Sequence, residues 1–281
     1  MEKRYASLLF ALVAAGCGDP PGTTPMADMA VAAVDLRQPR DLIPPPSGAV
    51  KGIIVDEMGK PMAGVLVLCC SAVECPNGVM TASDGTFGQA GLPLRQRMVK
   101  VQENAAVNPR LGETIAPVLL TTDGVTVDVG TLYVPIMGKG AAIAASGSTP
   151  QVLDAGDGLS VTVIRDDFEL ALGVKDYNLV ARTVPLAHLP KSGFDIPGEK
   201  VVGVWALMYF GSRCKTCKTP MALTAQLAAM PGAAVNFRTI SDLDGTASMP
   251  IAGHAAMDGK SVSTDPGKGM TEVTWLVASA P

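Results

Sequence analysis

From residue 48 onward, apolar and polar residues alternate in short runs that Gly, Pro and Asp interrupt. In one such run, Val65, Val67 and Cys69 fall at every second position. Side chains at every second position of a strand share one face of the sheet, whereas a helix repeats every 3.6 residues. The spacing therefore predicts strands, and we predict an all-β protein.

The first folded region is predicted to span residues 48–135. Its segment GAVKGIIVDEMGKPMAGVLVLCC reads as strand, turn and strand, and Asp84-Gly85 is a tight-turn dipeptide. The segments RMVKVQ and VTVDVGTLYVP follow as further alternating strands. Short strands at regular spacing are typical of a β-sandwich, so we predict a small antiparallel sandwich here.

The second region, residues 136–281, is predicted to be another β-rich, sandwich-like domain. It opens with GKGAAIAASGSTP, which reads as a small and flexible linker, and continues with the alternating segment DGLSVTVIRDDFEL. Trp205 and Trp275 lie in apolar runs, which predicts core positions for them rather than ligand platforms. Four later strands are predicted at Tyr177–Arg182, Lys200–Phe210, Ala233–Ile240 and Glu272–Ala278.

The N-terminus, MEKRYASLLFALVAAGC, has the pattern of a secretory signal peptide. Lys3 and Arg4 precede an apolar run that is too short to span a bilayer, which needs about 20 residues. The segment AAGC resembles the bacterial lipobox, in which the chain is cleaved before an acylated cysteine, here Cys17. This predicts a lipid-anchored protein of the cell envelope, and Gly18 favours the outer membrane or cell surface. Residues 18–47 are rich in Pro and predict an extended tether.

The charge of the chain argues against a nucleic-acid partner. The formal net charge is −4, and no cluster of basic residues stands out after the signal peptide. Aromatic residues make up only 4% of the chain, so the cores are expected to be aliphatic.

Five cysteines remain after Cys17, and outside the cytoplasm disulfides are the default expectation. Cys214 and Cys217 form a C-x-x-C loop, for which a local disulfide is the simplest interpretation. Cys75 can reach back to Cys70 or to Cys69, which point to opposite faces of one strand. The pair Cys70–Cys75 is favoured, with the other cysteine buried as a small apolar residue.

A thiol–disulfide oxidoreductase is the alternative function. The segment VWALMYFGSRCKTCKTP looks like a thioredoxin strand that leads into a C-x-x-C helix, with PMALTAQLAAM as the helix and SMPIAG as the proline loop. Arg213 stands where thioredoxins have Trp, and no βαβ unit precedes the motif. PMALTAQL also alternates as a strand.

Other catalytic and metal-binding patterns are weak. A zinc site from the C-x-x-C and the earlier cysteines would combine two regions of the chain. His188 and His254 begin no zinc motif and are predicted to be surface residues. Asp242 and Asp244 suggest a calcium loop, but the further oxygen ligands are missing. We therefore predict no catalytic residue, no metal site and no cofactor.

The order "GKPMAGV, strand, TASDGTF" resembles the carboxypeptidase regulatory-like domain, a transthyretin-type β-sandwich. The resemblance covers about a third of the chain and implies a non-catalytic module for adhesion, surface display or ligand contact. The C-terminal segment is similar to β-domains of myxobacterial surface lipoproteins. The expected function is thus binding or structural, with an envelope polymer, a carbohydrate or a protein as partner. The residues that carry the family pattern are Gly59, Pro61, Gly64, Val65, Thr81, Asp84, Gly85 and Phe87.

Overall fold

The computed structural model describes residues 45–101, 110–144, 146–168, 178–190, 193–210 and 218–281. The predicted signal peptide with Cys17, and the tether up to residue 44, lie outside the described residues. So does the C-x-x-C loop with Cys214 and Cys217. Residues 45–281 belong to one compact unit.

The described residues form nineteen strands and two short 3-10 helices, which confirms the all-β prediction. The strands of the first half are β1 (Ser47–Val55), β2 (Leu66–Cys70), β3 (Val79–Met80), β4 (Thr86–Pro93), β5 (Gln96–Val101), β6 (Arg110–Leu111), β7 (Thr114–Leu119), β8 (Thr126–Tyr133) and β9 (Ile136–Met137). The strands of the second half are β10 (Ala141–Ala142), β11 (Gln151–Gly156), β12 (Leu159–Val163), β13 (Asn178–Thr183), β14 (Lys200–Phe210), β15 (Leu223–Ala225), β16 (Ala234–Ile240), β17 (Ile251–Ala255), β18 (Val262–Thr264) and β19 (Trp275–Ala280). The 3-10 helices are Arg165–Asp167 and Leu186–His188.

The first half is a sandwich of two sheets, with strand orders β4-β1-β8 and β3-β2-β5-β7. Its core is aliphatic, as expected, and Val50, Ile54, Val67 and Leu132 are fully buried within it. The sandwich is not purely antiparallel, because β8 pairs with β1 in parallel. The chain crosses from β7 in one sheet to β8 in the other and so reaches the free edge of β1 in the same direction as β1.

The segment after the sandwich is not a free linker. Strand β10 pairs with β13, and Ile143 is buried in the core of the second half. Small residues allow this close pairing, since a Cβ on Gly140 would stand 2.9 Å from Cβ of Val180. The linker prediction was wrong at this point because small residues suit a tightly packed edge strand as well as a flexible segment.

The second half is built on one ten-stranded sheet with the order β10-β13-β14-β19-β16-β17-β18-β15-β12-β11. The sheet curls back on itself, so that β11 lies against β10 and β13. Its inner face holds the largest apolar cluster, which includes Trp205, Phe237 and Leu276. The turn between β11 and β12 is Asp157-Gly158, where both residues have positive φ, as a tight hairpin turn requires.

An apolar joint connects the two halves. Met98 and Ile115 of the sandwich pack with Val204, Trp275 and Val277 on the outer face of the large sheet. Trp275 is 1% exposed, and its indole N–H donates to the carbonyl oxygen of Glu113 at 2.8 Å. The tryptophan is thus a core residue, as predicted, and it belongs to the contact between the halves.

Candidate functional site

The outer face of the ten-stranded sheet carries a row of polar side chains on the half that lies away from the apolar joint. In the register of β11, β12, β15, β18 and β17, each residue of the row stands directly opposite the next one. Neighbouring strands lie about 4.8 Å apart, so the row is about 19 Å long. We call it the hydroxyl row, and it consists of Asp154, Ser160, Thr224, Ser263 and His254.

The strands of the row place these side chains outward because apolar residues occupy the alternate positions. In β15, Leu223 and Ala225 are buried and Thr224 lies between them on the outer face. In β12, Leu159 and Val161 are buried on either side of Ser160. The hydroxyl row is therefore a direct consequence of the period of two.

Hydrogen bonds orient the row at its centre and at one end. The hydroxyls of Thr224 and Ser263 are 2.9 Å apart and bond to each other. His254 Nδ1 lies 2.7 Å from Asp265 Oδ1, and the imidazole is 56% exposed. Because Asp265 engages Nδ1, the imidazole Nε2 is the ring nitrogen left to meet a ligand. His254 is thus a surface residue, as predicted, with a carboxylate that fixes its orientation.

A denser polar cluster covers part of the same face between the joint and the row. The Arg238 guanidinium lies 2.6 Å from Glu199 Oε1, and Asn236 Nδ2 donates to that same oxygen at 3.0 Å. The hydroxyl of fully buried Ser279 donates to Glu199 Oε2 at 2.5 Å. These bonds, from Arg238 above all, lower the pKa of Glu199 below its usual value. The satisfied carboxylate makes this cluster a structural one.

Ionic and aromatic contacts surround the apolar joint. Lys100 Nζ lies 3.0 Å from Asp242 Oδ2, so this aspartate takes part in an ion pair at the joint. Arg182 binds both carboxylate oxygens of Glu57, at 3.0 and 2.7 Å, and this lowers the pKa of Glu57. The rings of Tyr133 and His188 stack with centroids 3.5 Å apart. These contacts are placed to fix the two halves as one body.

The structure contains a disulfide between Cys70 and Cys75, the pairing that the sequence favours. Cys69 is fully buried as a free thiol in the core of the sandwich. Burial raises the pKa of this thiol to about 11. Cys69 therefore stays protonated and unreactive while the sandwich is folded.

The segment after the C-x-x-C loop does not form the helix that a thioredoxin-like motif requires. Residues 218–230 are described, and they contain strand β15 and no helix. The strand before the loop, β14, pairs antiparallel with both of its neighbours. The resemblance of the C-x-x-C segment to thioredoxin therefore has no counterpart in the fold around it.

One depression in the described residues lies on the first sandwich. A shallow groove of about 240 Å³ lies between β7 and β8, where Pro117, Leu119, Val127 and Pro190 form part of its wall. In the described part of the chain, no cluster of three or more potential metal ligands is found. No helix within that part is long and apolar enough to cross a membrane.

Comparison with known proteins returns no matching protein family and no matching curated protein. Solved structures give distant matches, among them the following three. The major pilin subunit BcpA of Bacillus cereus is 11% identical, with 81% of this chain and 85% of the pilin covered and a TM-score of 0.26. A candidate carbohydrate-binding protein from Bacteroides uniformis is 10% identical, with coverage of 84% and 97% and a TM-score of 0.24. The pilus protein RrgB of Streptococcus pneumoniae is 12% identical, with coverage of 84% and 62% and a TM-score of 0.22. Such low scores carry no functional argument, so the site has to be judged from its own residues.

Sequence reasoning missed the hydroxyl row and the contacts around the joint. Alternation in Leu-Thr-Ala and Val-Ser-Thr marks outward hydroxyls on each short strand. The register that aligns Thr224 with Ser263, 39 residues later, is set only by the folded sheet. The same holds for Lys100 and Asp242, which lie 142 residues apart.

Proposed function

We propose that this chain is a non-catalytic, lipid-anchored protein of the bacterial envelope that binds a neutral, hydroxyl-rich polymer. Cys17 is the proposed site of acylation, residues 18–47 are the tether, and the hydroxyl row is the binding face. The observation that carries the proposal is the alignment of outward polar side chains across five adjacent strands. The anchor rests on the N-terminal sequence.

Hydrogen-bonding chemistry favours a polysaccharide as the occupant of the row. Hydroxyls of Ser and Thr both donate and accept, which matches the hydroxyls of a sugar chain. The row runs for about 19 Å around the outer face of the curled sheet, which suits a linear polymer that contacts several strands better than a small ligand, which needs a concave pocket.

Charge selects a neutral polymer over an anionic one. The row begins with the exposed carboxylate Asp154, and Asp265 flanks its other end. The chain as a whole carries a formal charge of −4. An anionic polymer would meet like charge at both ends of the row, which costs affinity and slows association.

Binding is tested with the lipid-free chain from residue 18 against immobilised neutral and anionic polysaccharides. The double variant Thr224→Val and Ser263→Ala removes the two central hydroxyls and should lower affinity for the neutral polymer about thirtyfold, since each of the two hydrogen bonds contributes about 1 kcal/mol. The matched control is Thr131→Val on the exposed part of β8, which should bind normally. Equal binding by both variants, or preference for the anionic polymer, would contradict the proposed site.

The anchor is tested separately by metabolic labelling of the full chain with a radioactive fatty acid. We expect label on the wild-type chain and recovery in the membrane fraction. The variant Cys17→Ala should lose the label and, with it, the membrane association. Label that persists in Cys17→Ala would contradict acylation at this cysteine.

A further inference from the structure

Arg97 in β5 is a fully buried cation in the first sandwich. Its Nη2 lies 2.6 Å from Glu74 Oε1. The same guanidinium donates to the carbonyl oxygen of Cys69 at 3.2 Å and to that of Pro93 at 3.1 and 3.3 Å. Carbonyl groups satisfy its hydrogen bonds, but Glu74 supplies the negative charge.

Glu74 is held in place by a loop that the disulfide closes. Cys70 and Cys75 bracket residues 71–74, and Glu74 directly precedes Cys75. Inside the loop, the amide of Ser71 donates to the carbonyl oxygen of Glu74 at 2.7 Å, and the Ser71 hydroxyl accepts from the amide of Glu74 at 3.3 Å. The Glu74 side chain is 40% exposed, so packing alone does not hold it.

We propose that the Cys70–Cys75 disulfide is a redox latch that keeps the Glu74 carboxylate on the buried Arg97 guanidinium. In the opening step, a dithiol reductant gives two electrons and two protons to the disulfide. The S–S bond breaks, two thiols form, and the reductant becomes a disulfide. The freed loop lets Glu74 move into water and leaves Arg97 as a buried charge without a counter-ion.

Loss of a counter-ion inside a protein is strongly destabilising, whereas opening a loop of four intervening residues by itself changes the chain entropy only modestly. The fold of the sandwich therefore depends on the redox state of its surroundings. For an exported protein this means that the chain is less stable in a reducing cytoplasm than after export. That use of the latch rests on the proposed envelope location, but the coupling between disulfide and ion pair does not.

The test is a double-mutant cycle on urea unfolding of the lipid-free chain. With the disulfide intact, Glu74→Gln should lower the folding equilibrium constant about tenfold, because fully buried Arg97 loses the counter-ion that a 40% exposed Glu74 supplies. In the variant Cys70→Ser/Cys75→Ser, the same change should alter it less than about threefold, because Glu74 is already released. The control Lys51→Gln, in an ion pair whose side chains are both 57% exposed, should have no measurable effect in either chain. An equal effect of Glu74→Gln with and without the disulfide would overturn the latch.

Cys69 offers a second measurement that does not require the disulfide variant to remain fully folded. In a chain with Cys214→Ser and Cys217→Ser, Cys69 is the reporter thiol in the core beside the latch. Glu74→Gln, which keeps the disulfide, should raise the rate at which a thiol reagent labels Cys69 by about tenfold, in line with the stability loss. Labelling as slow as in the parent chain would show that Arg97 does not need Glu74, and the latch would be wrong.

Discussion

The outer face of the large sheet differs sharply between its two halves. On β14, β19 and β16 the outward residues include Val204, Trp275 and Val277, and the first sandwich covers them. On β12, β15, β18 and β17 the outward positions include Ser160, Thr224 and Ser263. One alternating pattern thus serves two purposes: apolar outward residues join the halves, and polar outward residues leave a face for a partner.

Ion pairs around the covered half make the apolar joint specific. Burial supplies the stabilisation at the joint, while Lys100 with Asp242 and Arg182 with Glu57 determine which surfaces meet. A Cβ on Gly245 would stand 2.6 Å from Cβ of Pro117, so the loop after β16 approaches the sandwich more closely than a side chain allows. The hydroxyl row has no comparable covering element among the described residues.

The largest effect is expected at the joint. Trp275→Ala should lower the free energy of unfolding by about 3–5 kcal/mol, because it empties a fully buried aromatic site and removes the indole N–H that donates to the carbonyl oxygen of Glu113. Urea unfolding measures this loss. The matched change on the open half, Ser263→Ala, should alter the free energy of unfolding by no more than about 0.5 kcal/mol. Similar losses for both variants would remove the distinction between a covered and an open half.

A smaller and pH-dependent effect is expected at Glu199. Its pKa is lowered in the folded chain, so the carboxylate stabilises the fold above its unfolded pKa of about 4.3. Glu199→Gln should lower the free energy of unfolding by about 1.5–3 kcal/mol at pH 7, in the range of a hydrogen bond to a charged group. The loss should shrink as the pH falls below 4.3 and through the lower pKa of the folded state. Unfolding measured from pH 7 to pH 3 checks this, and a loss that grows on acidification would contradict the assigned pKa direction.

The smallest effect is expected from the ion pair at the edge of the joint. Lys100→Met should lower the free energy of unfolding by about 1 kcal/mol. The Lys100 side chain is only 11% exposed, but its partner Asp242 is partly solvated, which keeps the effect small. Lys51→Met is the control, since Lys51 and Asp128 are both 57% exposed and contribute close to nothing. Thermal unfolding of both variants measures the difference. Equal melting temperatures would mean that the ion pair does not contribute to the joint.

Strands could be predicted from the sequence wherever alternation was long. Lys200–Phe210 was predicted with the bounds that the structure has, and the turn glycines mark most hairpins. Pairing could not be predicted: β8 joins β1 in parallel, and the supposed linker adds strand β10. A period of two separates the two faces of a strand, but it does not tell which outward face another sheet will cover.

The candidate sites also differ in how far they could be predicted from the sequence. Cys75 is close in sequence to both Cys69 and Cys70, so reach left two possible partners, and the favoured pair Cys70–Cys75 is the one in the structure. Arg97 lies 23 residues from Glu74 and gives no sign of burial in the sequence, since arginine is rarely buried. The hydroxyl row depends on the register of five strands, which only the folded chain provides.

The most direct test of the account is an NMR titration of the isotope-labelled, lipid-free chain with a soluble neutral polysaccharide. Amide shifts should change in β12, β15, β17 and β18 around Thr224 and Ser263, and the sandwich and the joint should stay unperturbed. Shift changes confined to the first sandwich would contradict the assignment of the open half of the large sheet as the binding face.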